Sequence, residues 1–333
     1  MDSSELQQQI FQQIKSGLPQ HLSMVDEVAN VLNVSTDSAY RRIRGEKALS
    51  LEEVYKLCTR FQFSFDQLFT NQAGTVMFKG EFVQDFNFNF QRYFSNIEQQ
   101  LKYMNGFQQK QMFYVCKDIP VFHHFHFREI AAFKYFLWMK LFIQSPEFAH
   151  KKFRFADYPD ELFEIGKRTL KYYNHLESTE IWNMEGINST IRQIEFYRDL
   201  DMLDDEEEVY QVYDALERLV THLEQQADAG YKFFADDAAH TAMGTFQMYI
   251  NEVTLGDNCI MAVLDGAKSV FINHSVLNFM LTRDTHFCDR TYEHIHNLMR
   301  KSTLISSVSE RERTRFFKHL RQRIIARKQA LKA

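Results

Sequence analysis

Between Arg41 and Lys47 the chain carries four cations (Arg41, Arg42, Arg44, Lys47) and one acid (Glu46), a local charge of +3. Cations on a short helix can do two things with nucleic acid. An arginine fork can read guanine through two hydrogen bonds, worth about 1–3 kcal/mol of discrimination. Any cation can hold a phosphate, which adds affinity but little sequence preference. Thr36, Asp37, Ser38, Tyr40 and Arg41 are therefore expected at base edges, and Arg44, Lys47 and Arg42 at phosphates. The whole chain has a net charge of −5, so this expectation rests on a patch and not on bulk charge.

Other chemistry-bearing residues point less clearly to a reaction. His123-His124-Phe125-His126 lies in a Phe-rich run, where neighbouring histidines do not converge as zinc ligands do, and buried aromatic packing is the simpler expectation. His274, His286, His294 and His296 lie among Asp284, Asp289 and Glu293, but His294 and His296 are two apart and point to different sides of a helix. No GxSxG, Walker loop or GxGxxG occurs. Cys58, Cys116, Cys259 and Cys288 are scattered without a CxxC pair, so neither a zinc site nor a disulfide framework is indicated. The expectation is of no catalysis, no metal and no cofactor.

The cationic patch needs elements to hold it. Leu22, Val25, Val28, Ala29 and Leu32 recur at three- and four-residue steps, which predicts a short helix with Ser23 as its cap. Asn33 tolerates the left-handed backbone of a tight turn, and Ser35 can cap a second helix over about Thr36 to Arg44 that stops at Gly45. Ala39 and Ile43 face inward in that helix. Two short helices around such a turn describe a helix-turn-helix. A first helix covers Leu6 to Lys15. After the loop, Ser50 and Glu53 have capping-box spacing, Leu51, Val54, Leu57 and Phe61 form a stripe, Ser64 can cap a last turn, and Leu68 and Phe69 close the core. On these residues, about 6 to 70 resembles the DNA-binding domain of Xre-like, phage-repressor-type regulators. Asn33 stands where that family usually has Gly, and Arg42-Ile43 replaces its apolar-then-acidic pair.

The remainder reads as mainly helical. Pro and Gly are few, 4 and 11 in 333 residues, while Phe numbers 32. No apolar run is long enough to span a membrane, and the polar start is unlike a signal peptide, so a reducing cytoplasm is expected. Asn71 to Thr75 is the best domain boundary. Residues 76–90 alternate Phe with polar residues at Phe82, Phe86, Phe88 and Phe90, suggesting a strand or extended arm. Helices are expected along Tyr93, Ile97, Leu101 and Met104, over Gln108 to Cys116, over the apolar Phe127 to Gln144, over Asp160 to Glu177 and Thr179 to Asp199, and along Val209, Val212, Leu216, Leu219 and Leu223. Three runs, FQMYINEVTL, CIMAVL and KSVFIN, separated by Gly256-Asp257-Asn258 and Asp265-Gly266, predict a three-stranded antiparallel meander. Helical pattern resumes at about Ser275 and near Thr291 to Lys301. The last helix, Ser309 to Lys332, carries nine cations and two acids, suited to DNA phosphates, an acidic partner or the chain's own acidic surface.

The reading is thus a mainly α chain: a five-helix, lambda-repressor-like helix-turn-helix domain over 1–72, a helical array over 76–230 for dimerisation or an effector, and an α+β region over 231–333 with a small antiparallel sheet. The function expected is sequence-specific regulation of transcription by a homodimer on a palindromic operator of double-stranded DNA. The resemblance adds a possible peptide or small-molecule effector. The rival is a helical protein-interaction scaffold with an accessory helix-turn-helix-like domain.

Overall fold

The computed structural model describes residues 3–19, 21–61, 63, 76–80, 89–203, 206–252, 256–275 and 277–331. The head comprises α1 (Ser3–Ser16), α2 (Met24–Leu32), α3 (Thr36–Ile43) and α4 (Leu51–Phe61). Ile10, Phe11, Ile14, Val28, Ala29, Leu32, Ala39, Leu57 and Phe63 fill its core. The expected cap at Ser64, the core closure by Leu68 and Phe69, and the Asn71 to Thr75 boundary lie outside the described residues, as does most of the Phe-alternating arm. Of that arm, Lys79 makes one antiparallel bridge to Leu281, each backbone donating to the other at 2.7 Å.

The body is built on a seven-stranded mixed sheet, and this overturns the small antiparallel sheet expected from sequence. Its strands are β1 (Lys110–Val115), β2 (Glu177–Trp182), β3 (Phe246–Ile250), β4 (Cys259–Leu264), β5 (Ala267–Asn273), β6 (Phe279–Thr282) and β7 (Thr303–Leu304), in the order β6-β5-β4-β1-β2-β3-β7. β1, β2 and β3 run parallel, and the other pairs are antiparallel. β1 and β2 take the place of predicted helices at Gln108 to Cys116 and at the start of Thr179 to Asp199. Both strands are covered on both faces, which removes the period-two signature of a half-exposed strand. Met112, Tyr114 and Cys116 face one core, while Phe113 and Val115 face the other.

The predicted meander is half correct. Asp265-Gly266 turns β4 into β5 with both residues at positive φ, 46° and 87°, as a tight hairpin turn requires. β3, however, pairs with β2, and two strands separate it from β4. The connection at 256–258 crosses the end of β1, where Asn258 Oδ1 accepts from the Lys117 amide at 2.8 Å. The helix expected from Ser275 gives way to β6, the last strand on that side of the sheet, before α10 (Thr285–Arg300).

One face of the sheet carries α5 (Phe90–Met104), α6 (Arg128–Leu137), α7 (Asp160–Asn174), α8 (Asn188–Asp199), α9 (Glu206–Ala229) and α11 (Glu310–Ala330). α10 covers the other, through Cys288 and Ile295 against Phe113, Val115, Ile181, Met261 and Val270. α6 runs on as a wider turn over Trp138–Phe142. α11 docks by Phe316, Phe317, Leu320 and Ile324, and its cations meet the body's own acids. Arg313 pairs with Asp228, Arg315 with Glu252, Arg321 with Glu224, Arg323 with Glu185, Arg327 with Glu195, and Lys328 with Asp214 and Glu217. Of the three roles open to that basic helix, the internal one is occupied. No helix among the described residues is long and apolar enough to cross a membrane.

Gly244, which leads into β3, packs against the turn between α7 and β2. A Cβ there would collide with the Leu176 carbonyl. Backbone cannot step aside as a side chain can, so Gly244→Ala is expected to cost about 1–3 kcal/mol by overpacking, read as a lower urea midpoint.

Candidate nucleic-acid interface

The helix-turn-helix forms by local capping. Ser23 accepts from the Asp26 amide at 3.4 Å and Ser35 from the Ser38 amide at 3.3 Å, each satisfying an orphan donor of the helix it starts. Asn33 ends α2 in the left-handed region, φ 53° and ψ 52°, the conformation its side chain tolerates. Ser50 and Glu53 complete a capping box: Glu53 N donates to Ser50 Oγ at 3.2 Å, and Ser50 N to Glu53 Oε2 at 3.0 Å. Leu51, expected in the apolar stripe, is 84% exposed instead, because it sits at the first turn of α4, outside the core made by Leu57 and its neighbours.

Arg42 departs from its expected place at phosphates. It is 3% exposed, and its guanidinium donates to Glu53 Oε1 at 2.6 and 3.1 Å and to the Ser38 hydroxyl and carbonyl. That arginine joins α3 to α4 from behind. The bond from Arg42 holds the Glu53 carboxyl below the usual carboxylate range, against a smaller opposing effect of burial. Gln7 of α1 adds a second clamp, donating to the Arg42 and Lys47 carbonyls and accepting from the Leu49 amide at 3.0 Å. Neither contact has a short-range signal in the sequence, since Gln7 lies 35 residues or more from its partners.

With α3 so clamped, its other face points to solvent. Thr36, Asp37, Tyr40, Arg41, Arg44 and Lys47 are exposed, and Ser38 is half-buried beneath Arg42. The Arg44 guanidinium lies 5.5 Å over the Tyr40 ring. Glu46 sits 3.8 Å from Arg41 and 3.7 Å from Arg44, loose exposed pairs of little energetic weight. Tyr40 is 48% exposed. A cationic, aromatic ridge thus stands free on a helix that is rigid behind. Residues 7–82 match the BetR domain. This is a small helix-turn-helix-like DNA-binding domain, and it takes in α2, α3 and α4 whole with most of α1. The BetR match covers under a quarter of the chain and carries a DNA-binding regulatory role for the head. No curated protein and no solved structure matches the chain.

The body holds a second concentration of polar chemistry that sequence reading missed. Glu180, in the middle of β2, is fully buried. It accepts from the Trp182 indole at 2.6 Å and the Tyr173 hydroxyl, and lies 2.8 Å from His123 Nε2. Burial raises its carboxyl pKa, but His123 and the donors outweigh that, and the net shift is downward. Lys232, also fully buried, donates to Ser178 at 2.6 Å and the Tyr173 carbonyl at 2.7 Å, and burial brings its pKa down to about 7. His123, His124 and Phe125 are buried, and His126 is half-buried against His222 at 4.3 Å between ring centres. Among the described residues no three His, Cys, Asp or Glu side chains converge as metal ligands.

Two outcomes follow. Arg42→Ala strands Glu53 and removes the strut behind α3, so it is expected to destabilise the head by about 3 kcal/mol, whereas Arg41→Ala should stay within about 0.5 kcal/mol in a urea titration. Burial also keeps His124 and His126 well below the ordinary histidine range and His222 at about 3. Their contribution is complete above the unfolded value of 6.5 and is lost as the pH falls from there, because only the unfolded chain takes up these protons. Stability is expected to drop by roughly 3 kcal/mol or more from pH 7 to pH 5.5; a flat profile would contradict burial of these rings.

Proposed function

We propose that the chain is a sequence-specific transcriptional regulator that reads double-stranded DNA as a homodimer through α3. The observation that carries this reading is the free ridge of Tyr40, Arg41 and Arg44 on a helix whose remaining arginine, Arg42, is locked behind it. Thr36, Asp37 and Tyr40 lie toward base edges, with Arg41 as the guanine reader. Arg44 and Lys47 hold phosphates. Arg42 positions the others, and Ser38 serves it as a hydrogen-bond partner.

One such head covers few base pairs, so two on a two-fold-symmetric operator, about 34 Å apart, supply the affinity. The Glu180 network belongs to architecture in this reading, since its carboxylate is closed to solvent and surrounded by its own donors, and no catalytic step is assigned to it. A scaffold reading has one observation in its favour. Leu51 and Tyr55, one turn apart on α4, are 84% and 71% exposed, a surface suited to a protein partner.

Selection of binding sites from a random DNA pool separates the two readings. The regulator should enrich an inverted repeat, and Arg41→Ala should weaken binding to it by about tenfold or more, while Lys47→Ala should weaken all sequences alike and lower the salt dependence. Recovery of no enriched sequence would leave the scaffold in place.

A further inference from the structure

Where the head meets the body, a cleft of about 190 Å³ holds a cation that pairs with no described residue. Phe61 and Phe63 line it from the head, and Tyr103, Phe107 and Arg283 from the body. The Tyr103 hydroxyl donates to the Gly17 carbonyl across the junction. Arg283 is half-buried, and no hydrogen bond or ion pair joins it to another described residue. The other charges lining the cleft cancel, since Lys268 Nζ lies 2.6 Å from Asp289 Oδ1. Asp284, the neighbour of Arg283 in sequence, accepts instead from the Phe287 amide as the cap of α10. Lys79 deepens the imbalance: burial first, and Arg283 second, push its pKa down, so two like charges share this corner.

A half-buried guanidinium that pairs with no described residue leaves its donors open to a ligand, and its planar fork suits a carboxylate. The aromatic side chains suit a ring. Size narrows the choice, because a cavity of about 150 Å³ admits benzene, so this cleft has room for one ring with a small polar head and none for a nucleotide. We propose that the head–body cleft is a binding site for a small single-ring aromatic carboxylate, its carboxylate on Arg283 and its ring among Phe61, Phe63, Tyr103 and Phe107. Such a ligand touches head and body at once and favours one placement of the head over others. That consequence at DNA rests on the regulator reading; the binding step does not.

The test is calorimetric titration of the full chain, without DNA, using benzoate, phenylacetate and 4-hydroxybenzoate, with benzyl alcohol as the neutral comparison. At least one carboxylate should bind with Kd below about 1 mM, and benzyl alcohol about tenfold or more weaker. Arg283→Gln should lose about tenfold in carboxylate affinity and, lacking the repulsion with Lys79, melt no lower than the parent without ligand. Arg192→Gln, on α8 and outside the cleft, should bind as the parent does. Absence of binding by all three acids, equal binding of benzyl alcohol, or unchanged affinity in Arg283→Gln would overturn the assignment. Because no DNA is present, failure here leaves the reading head untouched. Loss of operator recognition with the titration intact would fall on the head alone.

Discussion

The Arg42–Glu53 tie is the constraint on which the reading surface depends. A helix as short as α3 has little stability of its own and takes its orientation from what lies behind it. Here the support is a buried arginine bonded to the same glutamate that caps α4. One side chain thereby sets the start of one helix and the rotation of another. Arg41 and Arg44 flank Arg42 in sequence yet point away, and the helical period alone produces that division of labour. The polar cost of burying Arg42 is offset by four hydrogen bonds, to Glu53 twice and to Ser38 twice.

The body follows a different logic. Its middle strands β1 and β2 are covered on both faces, so they can hold polar side chains only where partners are built in. Glu180 is the extreme case, with Tyr173, Trp182 and His123 drawn from the end of α7, the same strand and the turn after β1. Lys232 then fastens the segment after α9 to Tyr173 and Ser178. Such a network favours one register of β2 over its slips, because a shift of one residue would put the carboxylate into the opposite, apolar core. The basic face of α11 works similarly at the surface, answering acids on α8, α9 and the loops beside them.

Much of the head was legible because its signals are local. Ser23, Asn33, Ser35 and the Ser50–Glu53 box each act within three or four residues, and each performs the expected bond or backbone conformation. The burial of Arg42 was not legible, since a cation among cations reads as surface until Glu53 is seen across eleven residues. In the body, α5 and α9 were legible from their stripes, and α6 from a run apolar nearly all round. β1 and β2 were not: KQMFYV and ESTEIW are buried on both sides, so neither helical nor alternating period marks them. Gly256-Asp257-Asn258 does lie between β3 and β4, but sequence gives no hint that two other strands separate them in the sheet. The sheet order depends on contacts between distant segments, and turn chemistry fixes only neighbours such as β4 and β5.

The central claim is that the outward face of α3 lies against bases. A photo-reactive phenylalanine analogue at position 40, compared with the same group at position 192 on the body, tests this directly when each protein is irradiated with a pool-selected duplex. Position 40 should cross-link to DNA within the recovered sequence, and position 192 should not. Cross-links from position 192 with none from position 40 would place the DNA on the body and contradict the account.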